Sequence, residues 1–253
     1  SFHVNSTLIY GETEAAVIDA GFTKADALRI VANVLDSGKK LTTIFISQAD
    51  PDYYFGAETL KKFFPEAKII ATPAVKEVIE KKVAGKVAYW GPKMGKNAPK
   101  NVVTPNAYKK LSFSVDGHAI EIKGTTGLLA HRPYLWIPSK KAIVGNVAVF
   151  GDLHVWTADV QDKKHWNTWL SQLAEMEKLS PQIVVPGHMK QGTKLDVSNI
   201  RYTSTYLTTF EQEKYNSSDA KTLINKMNAS FPDAQFPLSL NIGAKVHKGE
   251  MKW

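Results

Sequence analysis

Three times within the first 83 residues, a short apolar run is followed by a longer stretch with apolar positions at helical spacing. Residues 15–20 (AAVIDA) precede 23–35, residues 42–46 (TTIFI) precede AETLKKFF after Gly56, and residues 67–71 (AKIIA) precede 73–83. Short β-branched runs read as buried strands, because a branched Cβ packs well on a pleated surface. The 23–35 stretch places Ala25, Leu28, Val31, Ala32 and Leu35 at helical spacing and ends by Gly38. Such alternation points to an α/β layered architecture, in which each helix buries its apolar stripe on a sheet.

The flanking segments fill out that scheme. Residues 3–10 (HVNSTLIY), beginning at His3, form a hairpin with 15–20 through Gly11-Glu12. Further on, 111–115 and 119–123 flank Asp116-Gly117, a strong hairpin signal. Residues 134–137 and 142–144 flank the turn Pro138-Ser139-Lys140-Lys141. A helix is predicted at 165–179 with Asp162 as its cap, a strand at 182–185, and one or two amphipathic helices over 196–230, joined near Ser217-Ser218. Without a Pro-, Gly- or Ser-rich linker or a short repeat, the chain reads as one domain over 1–253. It is expected to have two similar halves, each a run of strands covered by helices, with the sandwich core over 1–195 and C-terminal helices and tail over 196–253 packing on that core.

Composition narrows the function classes. With 253 residues and 43% hydrophobic content the chain can bury a substantial core. No apolar run approaches the roughly 20 residues of a membrane helix. The absence of cysteine removes disulfides, thiolate metal sites and cysteine nucleophiles. The net charge of +8 favours anionic partners, but the lysines are scattered and no nucleic-acid-reading motif is present. The densest basic run, 81–100, reads as a solvated loop or lid, with an anion-binding surface as the lesser alternative. Because the sequence starts at Ser1, the expectation is a removed leader and a periplasmic or secreted protein; a cytoplasmic one fits the composition as well.

The chemistry-bearing stretch is 42–56, TTIFISQADPDYYFG. A strand feeds a polar loop, and loops at the carboxyl ends of strands are where rigid elements can aim several side chains together. Gln48, Asp50 and Asp52 occupy alternate positions, so in an extended loop they would point the same way. The plain alternative is that Asp50 and Asp52 cap the helix that follows.

The succession NSTLIYGETEAAVIDAGF, TTIFISQADPDYYFGAETLKKFFPEAKIIATPAV, LWIPSKKAIVGN and VVPGH resembles the metallo-β-lactamase fold superfamily, in particular bacterial metallo-hydrolases of that fold. The ending GAKVHKGEMKW is also similar to that group. The resemblance implies an αβ/βα sandwich: four layers, two mixed sheets between outer helices, with a site at one edge. It also implies a metal-binding signature, T-H-x-H-x-D-H, with later ligands from a Gly-His, a Gly-Asp and a final Gly-His. Against that signature this chain has Gln48 and Asp50 for two histidines, Tyr53 for a third, and Asn146 for the bridging carboxylate. The later Gly-His falls near 124–127, which holds no histidine. Asp52 and His188 keep their types.

Two zinc ions need several neutral imidazoles and a bridging carboxylate. Gln48 offers an amide oxygen, Asn146 no negative charge, and Tyr53 ionises only near about 10. What remains, Asp50, Asp52 and His188, is an oxygen-rich set suited to at most one divalent ion (zinc, manganese or magnesium), or to none. Without a cation, two neighbouring carboxylates repel, so one stays protonated or finds a Lys or Arg. His131 reads as a loop histidine or displaced ligand. His154 and Trp156 read as pocket-lining, Trp166 and Trp169 as helix core, and Asp152 and Asp159 as caps. Asp19 reads as a turn cap, or, as the resemblance implies, a support for the site loop.

Three functions follow from the sequence. The first is a one-metal hydrolase in which Asp52 or Asp50 activates a bound water. The second is a non-catalytic relative that binds a small molecule or a protein through Gln48, Tyr53, Asn146, His131 and His154. The third is a basic protein acting through its charge. The sequence is silent on oligomeric state.

Overall fold

The computed structural model describes residues 4–253, so His3 of the expected first strand lies outside the described residues. The chain forms two compact units, divided between Val147 and Ala148.

The first unit is built on a five-stranded sheet: β1 (Thr7–Tyr10), β2 (Glu14–Ile18), β3 (Lys40–Phe45), β4 (Lys68–Ala71) and β5 (Asn106–Ala107), in that spatial order. β1 is antiparallel to β2, and β2 to β5 run parallel. Helices α1 (Lys24–Ser37), α3 (Ala57–Phe63) and α4 (Pro73–Met94) make the crossovers. The central strands β2 to β4 are buried on both faces, which is why they read as continuous apolar runs. Ala15, Val17, Ile44, Ile46 and Ile69 belong to the aliphatic core that also takes up Val31 and Val34 of α1. A second, antiparallel ladder follows: β6 (Ser112–Val115), β7 (His118–Lys123), β8 (Tyr134–Ile137) and β9 (Ala142–Val144).

Local chemistry accounts for most boundaries. Thr23 caps α1 in a reciprocal capping box with Asp26, and Gly38 ends the helix in the left-handed region at φ 65°. The Asp116-Gly117 hairpin has both residues at positive φ, 46° and 77°, as a two-residue turn between twisted strands requires.

Two expectations need correction. The buried stripe of α1 is Ala27, Val31 and Val34, whereas Leu28 and Leu35 are 40% and 60% exposed. The helix is rotated so that small Ala27 faces the closest approach, where a Cβ on Gly56 would stand 2.9 Å from Ala27 Cβ. The basic stretch 81–100 is not a loop over most of its length: α4 continues to Met94, with Pro92 in its last turn. Val83, Val87, Trp90 and Met94 keep a helical rhythm against the core, and Glu77–Lys81 and Lys76–Glu80 pair at i,i+4.

The second unit holds the short strands β10 (Phe150–Gly151), β11 (Ile183–Val184) and β12 (His188–Met189), β10 pairing in parallel with β12. Around them stand α5 (Lys163–Lys178), α6 (Ser198–Tyr215), α7 (Ala220–Ser230) and α8 (Pro237–His247). Asp162 caps α5 by accepting from the His165 amide, and Trp166 and Trp169 are core, both as expected. The helices at 198–215 and 220–230 match the expected pair, while α8 had no prior signal.

Candidate functional site

The loop after β3 is held from below by the turn after β2. Asp19, at the end of that strand and at φ 65°, accepts hydrogen bonds from the Ser47 amide and the Ser47 hydroxyl, both at 2.7 Å. The Ala20 amide donates to the Tyr53 carbonyl, and the Gly56 amide to the Gly21 carbonyl. A Cβ on Gly56 would lie 2.0 Å from the Ala20 carbonyl oxygen, so glycine is what lets the two segments meet. Asp19 therefore holds the site loop through Ser47, as the resemblance implied, instead of capping the turn before Thr23.

The loop is not extended throughout. Asp50 is extended, but Pro51–Tyr54 forms one helical turn, α2, so the alternate-position argument for Gln48, Asp50 and Asp52 does not describe the geometry. Neither aspartate acts as a side-chain cap: Asp50 precedes α2 and Gly56 precedes α3, each without a side-chain cap bond. Proline at the first helical position starts the turn, since its fixed φ suits a helix and its missing N–H costs nothing there.

Burial sets the electrostatics. Gln48 is buried and its Nε2 donates to the Pro133 carbonyl at 3.3 Å. Asp52 is buried, and that burial pushes its carboxyl up to about 8, helped by the nearby Asp50 charge and, more weakly, Asp19; its own backbone N–H and Lys86 pull it down. Asp19 is pushed up to about 7 by burial, against the Ser47 hydrogen bonds. The Tyr53 phenol is raised well above 10 by burial and the neighbouring carboxyls, with Arg132 opposing. Asp50 is partly exposed, 3.8 Å from the Lys86 ammonium. His131 is half-buried beside buried Arg132 on the segment leading to β8, and Asn146 is buried just after β9.

In the second unit His188 is buried on β12, its ring stacked on Phe150 at 5.3 Å. His154 is buried, 3.1 Å from the Tyr206 hydroxyl through Nδ1, and burial lowers its pKa.

Lys86 and Arg132 are the site-loop residues missed by sequence reasoning. Lys86 lay inside the stretch read as a loop; Arg132 follows His131, which drew the attention. The need for a cation near paired carboxylates was the available signal.

A two-sheet α/β unit with its functional loop at a strand's carboxyl end defines a class of fold in which many chemistries occur. The chain belongs to the metallo-beta-lactamase superfamily, whose family model matches residues 2–188. Solved structures with the same fold include a metallo-beta-lactamase from Pontibacter korlensis, at 16% identity and TM-score 0.61, with 81% of this chain and 87% of that one covered. A metallo-beta-lactamase family protein from Thermus thermophilus is 14% identical at TM-score 0.66, with 98% and 88% covered. The DIM-1 metallo-beta-lactamase is 17% identical at TM-score 0.58, with 81% and 87% covered. No curated protein matches the chain. The expected α/β class with two sheets is therefore the observed one.

The zinc pair suggested by the fold does not fit the donors present. The Gln48 amide donates to a carbonyl, Asn146 brings no negative charge, and the Tyr53 phenol is held neutral. Among the described residues no three His, Cys, Asp or Glu side chains come together in a way that could hold a metal ion. A loop of this kind can donate hydrogen bonds from buried carboxylic acids; it lacks the imidazoles that activate water on zinc.

Proposed function

We propose that this chain is a superfamily member that binds a small molecule at the 47–56 loop without zinc-dependent hydrolysis. The observation that carries this reading is the donor set of the loop: the Gln48 amide, which already donates to the Pro133 carbonyl, and the Tyr53 phenol stand where the signature has imidazoles, and the Asn146 amide stands where it has a bridging carboxylate. Amides, a phenol and carboxyls offer hydrogen bonds to a polar ligand, while the imidazoles that a zinc pair needs are missing. Lys86 and Arg132 supply the positive charge that a metal would otherwise bring to the loop. The competing reading is a one-metal hydrolase with Asp50, Asp52 and His188 as ligands.

The test is a panel of lactam, lactone, thioester and phosphoester substrates, run with chelator and again with added zinc or manganese, beside a thermal-shift screen of polar small molecules. The proposal expects no metal-stimulated turnover and at least one stabilising ligand whose effect is lost in Asp52→Ala. Turnover that appears with metal and disappears in Asp52→Asn would establish the hydrolase instead. Among the described residues no helix is long and apolar enough to cross a membrane.

A further inference from the structure

Away from the 47–56 loop, the first unit has a cleft of about 460 Å³ between its two sheets. The floor follows from strand register. Thr43 of β3 sits opposite Lys68 of β4, and Phe45 opposite Ile70, so these side chains share the face turned toward β6. Phe45 stacks on Phe113 of β6 at 5.6 Å, which closes one side. Beyond that stack the sheets part, and Thr43, Lys68, Ile70, Tyr108, Lys110 and Phe113 line the opening. The Tyr108 hydroxyl is fixed by donating to the Ser112 carbonyl at 2.8 Å. No residue of the site loop lines the cleft, and no acidic side chain does.

Two features single this cleft out from a gap in packing. Thr43 is only 8% exposed, and its hydroxyl has no hydrogen-bond partner among the described residues. The hydroxyl is open to the cleft, so it can donate to a ligand there in place of solvent. Lys68 and Lys110 are exposed at the same opening, and among the described residues neither forms an ion pair. Both keep their charge for a ligand, whereas Lys62, Lys76 and Lys81 are paired with Glu58, Glu80 and Glu77.

We propose that this cleft binds a small organic anion, a carboxylate or phosphate ester carried on an apolar or aromatic body. The two ammonium groups take the charged head as strong charge-assisted donors, and the Thr43 hydroxyl donates to it. Ile70 and Phe113 take the body, and the volume falls within the range of small-molecule sites. An inorganic anion would leave that apolar wall unused, and a nucleic acid would need a longer basic track than two lysines.

The experiment is a backbone-amide NMR titration of the full chain with phenyl phosphate, benzoate and inorganic phosphate. Phenyl phosphate or benzoate should give saturable shifts confined to Thr43, Lys68, Tyr108 and Ser114 and their neighbours. Whichever of the two binds tighter identifies the head group, and it should exceed inorganic phosphate by about tenfold, the equivalent of covering a modest apolar surface. Lys68→Met and Lys110→Met, both at exposed positions, should each weaken binding by about tenfold with the melting temperature unchanged. Thr43→Val should also weaken it, and Lys93→Met should not. Equal binding of inorganic phosphate and phenyl phosphate, shifts spread over lysines elsewhere, or a Lys68→Met/Lys110→Met double variant that binds normally would each overturn the proposal.

Discussion

The two units bury opposite kinds of titratable group in different kinds of core. The first unit packs an aliphatic core on a mostly parallel sheet and buries carboxyls, Asp19 and Asp52, whose pKa values rise. The second packs aromatic rings, with Trp166, Phe210 and His247 in mutual contact and Tyr206 against Phe231 at 4.7 Å. It buries the imidazole of His154 and half-buries that of His247, and both pKa values fall, that of His247 to about 4. Desolvation explains both directions, since it always opposes the charged form. The difference teaches where chemistry was kept: the first unit holds protons at a strand-end loop, while the second keeps its bases neutral inside packing.

The sharpest way to break the comparison is steric. Gly56→Ala would drive a Cβ into the Ala20 carbonyl oxygen, a backbone atom that cannot step aside, and should cost more than about 3 kcal/mol. Gly243→Ala in the second unit meets the Thr157 hydroxyl at 2.5 Å, a side chain that can rotate, and should cost about 1–2 kcal/mol. Denaturant unfolding of both variants checks the order; similar losses would mean that the strand-end junction is not the rigid point.

Next in size is pH. A raised acid binds its proton more tightly in the fold, so the stability from Asp19 and Asp52 is fully present near pH 4 and is lost as pH rises to about 7–8. A lowered base is neutral in the fold, so the contribution of His247 is present above about 6.5 and lost as pH falls toward 4. Each group tilts stability by at most about 1.4 kcal/mol per pH unit. Hydrogen exchange followed segment by segment between pH 5 and 8 should show the 15–56 region loosening as pH rises, after correction for intrinsic exchange, with Asp19→Asn flattening that slope. A common trend in both units would contradict the assignment.

The smallest effect belongs to Lys86→Met. An ion pair at 3.8 Å between partly exposed side chains contributes under about 1 kcal/mol, so the melting temperature should hardly move. The titration of Asp52, followed by its carboxyl carbon resonance, should instead shift upward, because Lys86 pulls it down. No upward shift would remove Lys86 from the loop's electrostatics.

Much of this was legible in the sequence where a single residue carries a backbone requirement. Asp116-Gly117 announced its turn, and Gly38 and Asp162 marked helix ends, because those signals are local. The resemblance was legible for the same reason, being written in strand-end motifs. The length of α4 was hidden by two glycines and a proline inside a lysine-rich stretch, and its packing face shows only with the core in place. The rotation of α1 depended on a contact with Gly56, nearly thirty residues away. Lys86 and Arg132 come to the loop from distant segments, so no spacing rule could have named them.

The central claim is that the 47–56 loop lacks the donors for a zinc pair and holds no metal ion. Native mass spectrometry of protein purified without chelator from zinc- and manganese-supplemented cells addresses it directly. The account predicts the mass of the metal-free chain for the parent protein and, with the mass difference of each substitution, for Asp52→Asn and His188→Ala as well. A chain carrying one or more stoichiometric ions that those two substitutions release would contradict it.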